Sequence, residues 1–464
     1  MFSYGIEEET RDHSEFIARM AEQAIHADYI DNGLYEKYNV KRGLRNSDGS
    51  GVLVGLTSIG EVRGYIFAEN EKAPIEGRLL YRGIDIDRLV DGFRKDKRFG
   101  FEECCYLLLC GKLPTRSELE SFKEMLDDNR RLPNGFAEDM IMKAPSPDVM
   151  NKLARCVLAS YSYDDDPDNL DPKNVMRQCI RLIAQFPTMT AYAYQAKSHY
   201  YEGHSLYIHN PQHGLSTSEN LLQMIRPDSK YTQLEAEILD LALVIHAEHG
   251  GGNNSTFAVH VVTSTGTDTY SSIAAAVGSL KGPKHGGANL RVMNMIEDIK
   301  AHVKHWDDEG ELKDYLAKIL KGEAFDRSGL VYGIGHAVYT LSDPRAKLLK
   351  EKARELVAVS GPDFQKEFRL MEKIEELTPG LFAEIKHSDK QLCANVDFYS
   401  GLVYSMLNIP KALFTPIFAI SRISGWCAHR LEELSITNRI IRPAYKNVGH
   451  KQVYEELSER TRDN

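Results

Sequence analysis

Apolar positions along the chain recur mainly at helical spacing. Between Tyr231 and His249, Leu234, Ile238, Leu241 and Ile245 fall at steps of four, three and four, which is one face of a helix. His249 continues that face and is expected to point inward. The run DPRAKLLKEKARELVAVSG, from Asp343 to Gly361, reads as a helix with Asp at the N-cap, Pro in the first turn and Gly at the end. Leu348, Leu349, Leu356 and Val357 give it an apolar stripe. Lys411 to Leu434 forms another long apolar helix, with Pro416 near its start. Strand signals are confined to residues 52–68 and 78–84, which suit short strands or a hairpin. The pattern predicts a mainly α protein with a small β element near the N-terminus. There is no βαβ alternation and no repeat at a fixed period.

Composition narrows the function. The 464 residues are 42% hydrophobic and 27% charged, a globular mix with length for two or three domains. The formal net charge of −10 provides no electrostatic footprint for nucleic acid or an anionic membrane. No apolar run approaches the ~18 residues of a spanning helix. The opening MFSYGIEEET is acidic, unlike a secretory or mitochondrial leader. The seven cysteines form no CxxC pair, which suits reduced, packed thiols in a cytoplasmic protein. The stretch DDDPDNLDP, Asp164 to Pro172, reads as a solvated connection. Counted from Asp164, its sixth and twelfth positions hold Asn169 and Val175, where a calcium-binding EF-hand needs Gly and Glu.

Four segments look unlike structural filler. VIHAEHGGGNNST carries His246 and His249, but neither the HExxH spacing of a metalloprotease nor an evident third ligand. A zinc hydrolase resting on this pair is the weaker reading, and no metal site is expected. KGPKHGGAN places His285 in a turn between two helices. The free N–H groups of the second helix would disfavour a protonated imidazole there. A neutral histidine can still donate a hydrogen bond to a developing oxyanion. YGIGHAVYTLSDPRA places His336 after two glycines and Arg345 in the first turn of the Asp343 helix. Arginine is poorly placed there unless it shares an anionic ligand with the helix end. NVDFYSGLVYSML begins with Asp397, for which a helix N-cap is the plain alternative. Arg422 then lies within a long apolar helix, with no acid within four residues to pair it. Arg442 follows in RIIRPAY. A carboxylate base, imidazoles to stabilise an enolate and arginines to hold acid groups suit carbon–carbon chemistry on a polycarboxylate.

In this order, the four segments resemble the citrate synthase family, most closely in GIGHAVYTLSDPR, KGPKHGGAN and NVDFYSG. EGRLLYRGIDIDRLV and FEECCYLLLCGKLPTRSEL extend the resemblance, which runs from about Leu56 to about Gly449. It implies a two-domain helical fold, with residues 1–286 and 409–464 forming a large domain and 287–408 a small one. The site would lie in the cleft between them. It also implies a homodimer. Asp397 would take a methyl proton from acetyl-CoA, His285 would hydrogen-bond the enolate oxygen, and His336 would give a proton to the oxaloacetate carbonyl. His249, Asn253, Arg345 and Arg422 would bind oxaloacetate, with Arg442 donated by the partner subunit. The resemblance implies no metal or resident cofactor, with acetyl-CoA as co-substrate.

The chain departs from the family pattern after His336. Thr340 stands where many relatives carry a basic residue that contacts CoA, and Ala337 where many bacterial relatives carry Arg. Ile334, Gly335 and Lys390 are the expected replacements. The same segments also resemble 2-methylcitrate synthases, which use propionyl-CoA. One methylene discriminates by only ~1–3 kcal/mol. A non-catalytic helical interaction protein is the distant alternative. Intact Asp397, His285 and His336 argue against it.

Overall fold

The computed structural model describes residues 14–46, 49–68, 71–436 and 439–460. The chain divides into two compact units. One joins the N-terminal residues Met1–Gly55 to the C-terminal Arg442–Asn464, and the other is Leu56–Ile441. The terminal unit contains the amphipathic helix α1 (Ser14–Ala27), none of whose residues is buried.

The larger unit opens with an antiparallel sheet ordered β1 (Gly60–Ala68), β2 (Glu71–Tyr81), β3 (Ile84–Asp85). The expected β element is therefore present. Residues 52–59 stay outside the strands. The remaining regular structure is helical, as the period predicts. Among the described residues, no helix is long and apolar enough to cross a membrane.

The helices that position the site begin and end on local chemistry. Helix α2 (Gln233–His246) starts at a capping box, in which Thr232 and Glu235 each satisfy the other's backbone N–H. It ends three residues before His249, so His249 lies on the following turn rather than on the helical face. Helices α3 (Asn254–Thr263) and α4 (Thr269–Lys281) follow, and α4 stops at Gly282. Helix α5 (Ala288–His302) begins just past His285. Helix α6 (Pro344–Val359) starts as expected, with the Asp343 carboxylate accepting from the Arg345 N–H. Helix α7 is Val396–Met406. Helix α8 (Phe414–Ile436) is buried along most of its length and packs on α2, α3 and α4. Helix α6 packs on both α2 and α7.

The acidic stretch is a largely exposed connection, as expected, except at its first residue. Asp164 is buried, accepting hydrogen bonds from Tyr270 at 2.5 Å and Gln178 at 3.2 Å and pairing with Arg177. These partners lie beyond the reach of a composition argument, because Tyr270 arrives from α4, more than a hundred residues away.

Candidate active site

Backbone pairing joins the segments of His336 and Asp397. Gly335 N–H donates to the Cys393 carbonyl at 2.7 Å, and Asn395 N–H to the Gly333 carbonyl at 2.8 Å. Ile334 and Ala394 form the bridge between them. Gly333 is required here. Its φ is +82°, and a Cβ would lie 2.7 Å from Phe398. Asp397 is not the N-cap of α7. Asn395 is, accepting from the Asp397 N–H at 3.0 Å. The Asp397 carboxylate is thus free of a capping duty. Burial, aided by Asp343, pushes its pKa up to about 6 against the opposing pull of Arg345 and Arg422.

His336 has a fixed tautomer. Its Nδ1 accepts from the backbone N–H groups of Val338 at 3.0 Å and Tyr339 at 3.1 Å. The proton of the neutral ring therefore sits on Nε2. Burial and Arg345 lower its pKa to about 4, so the ring is neutral at physiological pH. It stacks on Tyr339 at 4.7 Å and meets His249 edge-on at 5.3 Å. His285 Nε2 lies 3.0 Å from the Ser255 hydroxyl. Burial, then Arg422, lower its pKa to about 4. These two causes, rather than the α5 terminus, account for the neutral imidazole.

The two arginines differ. Arg345 is buried, but Asp343 pairs with it through Nε at 3.0 Å and Nη2 at 2.7 Å. The expectation that it lacks a protein partner is corrected: the partner is the residue capping its own helix. Arg422 is fully buried, and among the described residues its only donation runs from Nε to the His246 carbonyl at 2.7 Å. Nη1 and Nη2 have no partner among the described residues. Burial pushes its pKa down to about 10.

Other unmet polar atoms fall in the same segments: His246 Nδ1, Glu248 Oε2 and His249 Nε2. Buried polar atoms are normally paired, so the unmet Arg422 and imidazole nitrogens mark a place shaped for an anionic, hydrogen-bonding ligand, whereas the Glu248 oxygen is an acceptor that an anion does not satisfy. Asn253 Oδ1 accepts from the Ser255 hydroxyl at 3.0 Å, which places Asn253 beside the partner of His285. Among the described residues, no three His, Cys, Asp or Glu side chains group as a metal site.

Sequence reasoning missed Phe418, whose ring meets His246 at 4.7 Å and His285 at 6.3 Å and lies under the Arg422 guanidinium at 4.7 Å. It also missed Tyr339, Ser255 and Glu248. A glutamate between two histidines in an apolar run was a usable signal, because a buried acid needs partners. Lys390 is exposed near the loop before α7, and Arg442 is exposed in the terminal unit.

A raised carboxyl, neutral imidazoles and a guanidinium with unmet nitrogens are groups suited to acid–base chemistry beside an anionic ligand, within a mainly helical fold. A family model for the citrate synthase C-terminal domain matches residues 48–444. The chain is 36% identical to a citrate synthase of Synechocystis over 83% of its own length and 89% of the relative's. It is 32% identical to a 2-methylcitrate synthase of Shewanella oneidensis, covering 80% and 88%. The citrate synthase structure of Pyrobaculum aerophilum matches with a TM-score of 0.72 at 33% identity, covering 89% of this chain and 94% of that one. A Thermoplasma acidophilum citrate synthase, solved as a ternary complex with carboxymethyl coenzyme A and oxaloacetate, matches with a TM-score of 0.73 at 25% identity, covering 91% and 99%. The chain belongs to the citrate synthase family.

Proposed function

We propose that this enzyme condenses acetyl-CoA with oxaloacetate and hydrolyses the resulting citryl thioester to citrate and CoA. The observation that carries this reading is a half-buried carboxylate with a raised pKa, tied through the backbone to a histidine whose only proton is on Nε2. Asp397 takes a proton from the acetyl methyl group. His285 donates a hydrogen bond to the enolate oxygen. Trp426 Nε1–H donates to the Ser255 hydroxyl at 3.2 Å. The single Ser255 proton is given to Asn253 Oδ1 in the free enzyme; handed to His285 Nε2 once oxaloacetate engages Asn253, it leaves the imidazole proton on Nδ1, ready for the enolate. The enolate carbon attacks the oxaloacetate carbonyl, whose oxygen receives the Nε2 proton of His336. Water then cleaves the thioester, releasing CoA.

Arg422, with both terminal nitrogens unmet, holds an oxaloacetate carboxylate, assisted by Arg345, His249 and Asn253. Arg442 completes the site from the partner subunit of a homodimer. Ile334, Gly335 and Lys390 contact CoA. Residues 287–408 act as a small domain, carrying His336, Arg345 and Asp397 toward His249, His285 and Arg422 as the cleft closes. Seven free thiols suit a reducing compartment, so we place the enzyme in the cytoplasm.

A 2-methylcitrate synthase activity is the second reading, favoured by relatives of that name. Thiol release with oxaloacetate tests both, comparing kcat/KM for acetyl-CoA and propionyl-CoA. An acetyl preference supports the first reading and a propionyl preference the second. No thiol release from folded protein with either would overturn both.

A further inference from the structure

Behind Arg422 lies a buried chain of four titratable groups that the reaction above does not use. Glu248 Oε1 lies 3.0 Å from His429 Nε2, His429 Nδ1 lies 3.1 Å from His260 Nε2, and His260 Nδ1 lies 2.7 Å from Glu433 Oε2. All four residues are buried. His429 and Glu433 share α8 with Arg422, and His260 comes from α3. The Glu248 carboxylate occupies a slot between two glycines. A Cβ at Gly60 would sit 2.5 Å from Oε1, and one at Gly425 would sit 2.6 Å from Oε2.

The spacing counts protons. Each of the three contacts requires one proton between its two atoms, or two lone pairs would face each other. Two carboxylates and two neutral imidazoles supply only two. The chain therefore holds a third proton and a net charge of −1, whichever groups carry it. With Glu433 protonated, His260 donates to His429, His429 donates to Glu248, and the negative charge is on Glu248. If each proton crosses its own hydrogen bond, Glu248 becomes the acid and Glu433 the carboxylate. No proton leaves the chain, and the charge has moved along α8. Glu433 stands eleven residues beyond Arg422, roughly 16 Å of helical rise.

We propose that this chain carries one mobile negative charge, held at Glu248 to balance Arg422 in the free enzyme and displaced to Glu433 when an oxaloacetate carboxylate binds Arg422. The inference rests on the reading of Arg422 as the oxaloacetate anchor. Burial pushes the Glu248 carboxyl up, but His429 and Arg422 more than offset this and hold it below its ordinary value. A bound carboxylate cancels the Arg422 contribution and so favours the shift. The other groups facing the chain are Tyr81 and Arg82 at the end of β2, Cys104, and Glu432 on α8. Glu432 does not compete for the central proton. Its Oε2 lies 3.8 Å from His429 Nδ1, and its Oε1 accepts from Ser58.

The experiment is difference infrared spectroscopy of the full-length enzyme with and without oxaloacetate, beside oxaloacetate KM for Glu433→Gln. Binding is expected to give a paired change in carboxylic-acid C=O absorption in the wild type, a loss from Glu433 and a gain from Glu248, that Glu248→Gln and Glu433→Gln both lack. Glu433→Gln pins the charge at Glu248 and should raise oxaloacetate KM roughly tenfold, with a smaller effect on kcat. Bound oxaloacetate with no paired carboxyl change overturns the inference and leaves the functional reading standing. Failure of the wild type to bind oxaloacetate overturns both. If Glu433→Gln does not fold, the paired change in the wild type still decides.

Discussion

The Asn395 side-chain amide donates to the Gly335 carbonyl at 2.9 Å, while its oxygen caps α7 by accepting from the Asp397 N–H, two residues on, at 3.0 Å. One side chain thereby holds the helix that presents Asp397 and the turn that presents His336. Asn395→Ala removes both bonds. The lost cap should cost about 1 kcal/mol of stability, read by denaturant unfolding. The loss in kcat should exceed tenfold, because acid and base no longer keep register.

Asp397→Asn should abolish condensation while leaving oxaloacetate binding nearly intact, checked by thiol release and calorimetry. In the wild type, kcat/KM should fall below about pH 6 as the base gains a proton.

Stability should move the other way. The folded Asp397 pKa lies above its ordinary value, so its favourable contribution is complete at acid pH and disappears as pH rises through about 6. Asp397→Asn should therefore raise Tm at pH 8, with the gain vanishing near pH 4.

Arg422 and Arg345 should respond differently to replacement by Leu. Arg422→Leu removes a buried guanidinium that makes no direct ion pair with a carboxylate among the described residues, only a longer-range balance with Glu248, so Tm should fall less than for Arg345→Leu. Oxaloacetate binding should weaken by about 2–5 kcal/mol. Arg345→Leu strands the Asp343 carboxylate and should destabilise the fold by about 3–5 kcal/mol, seen directly in unfolding curves.

Local chemistry was the legible part of the chain. Thr232 and Asp343 start their helices because a cap needs only the next three residues, and sequence carries that information. The family's ordered segments likewise singled out His285, His336 and Asp397 as the residues to examine in the fold. Arg345 was misjudged because its partner lies two residues back, outside the helical steps at which ion pairs are sought. Phe418 and Tyr339 were hidden because an aromatic residue within an apolar run reads as core. Asp164 and Glu248 depend on residues from distant parts of the chain, Tyr270 in one case and His429 in the other. Only the assembled helices bring those partners within reach.

The two backbone donors on His336 Nδ1 give the ring a direction. Protonating that nitrogen would turn an acceptor toward two N–H groups into a third donor, and the turn from Gly335 to Tyr339 would have to open. The imidazole can therefore lend and recover its proton through Nε2 alone. In the proposed reaction, whatever refills the ring after each turnover must reach Nε2, a constraint set by one short turn.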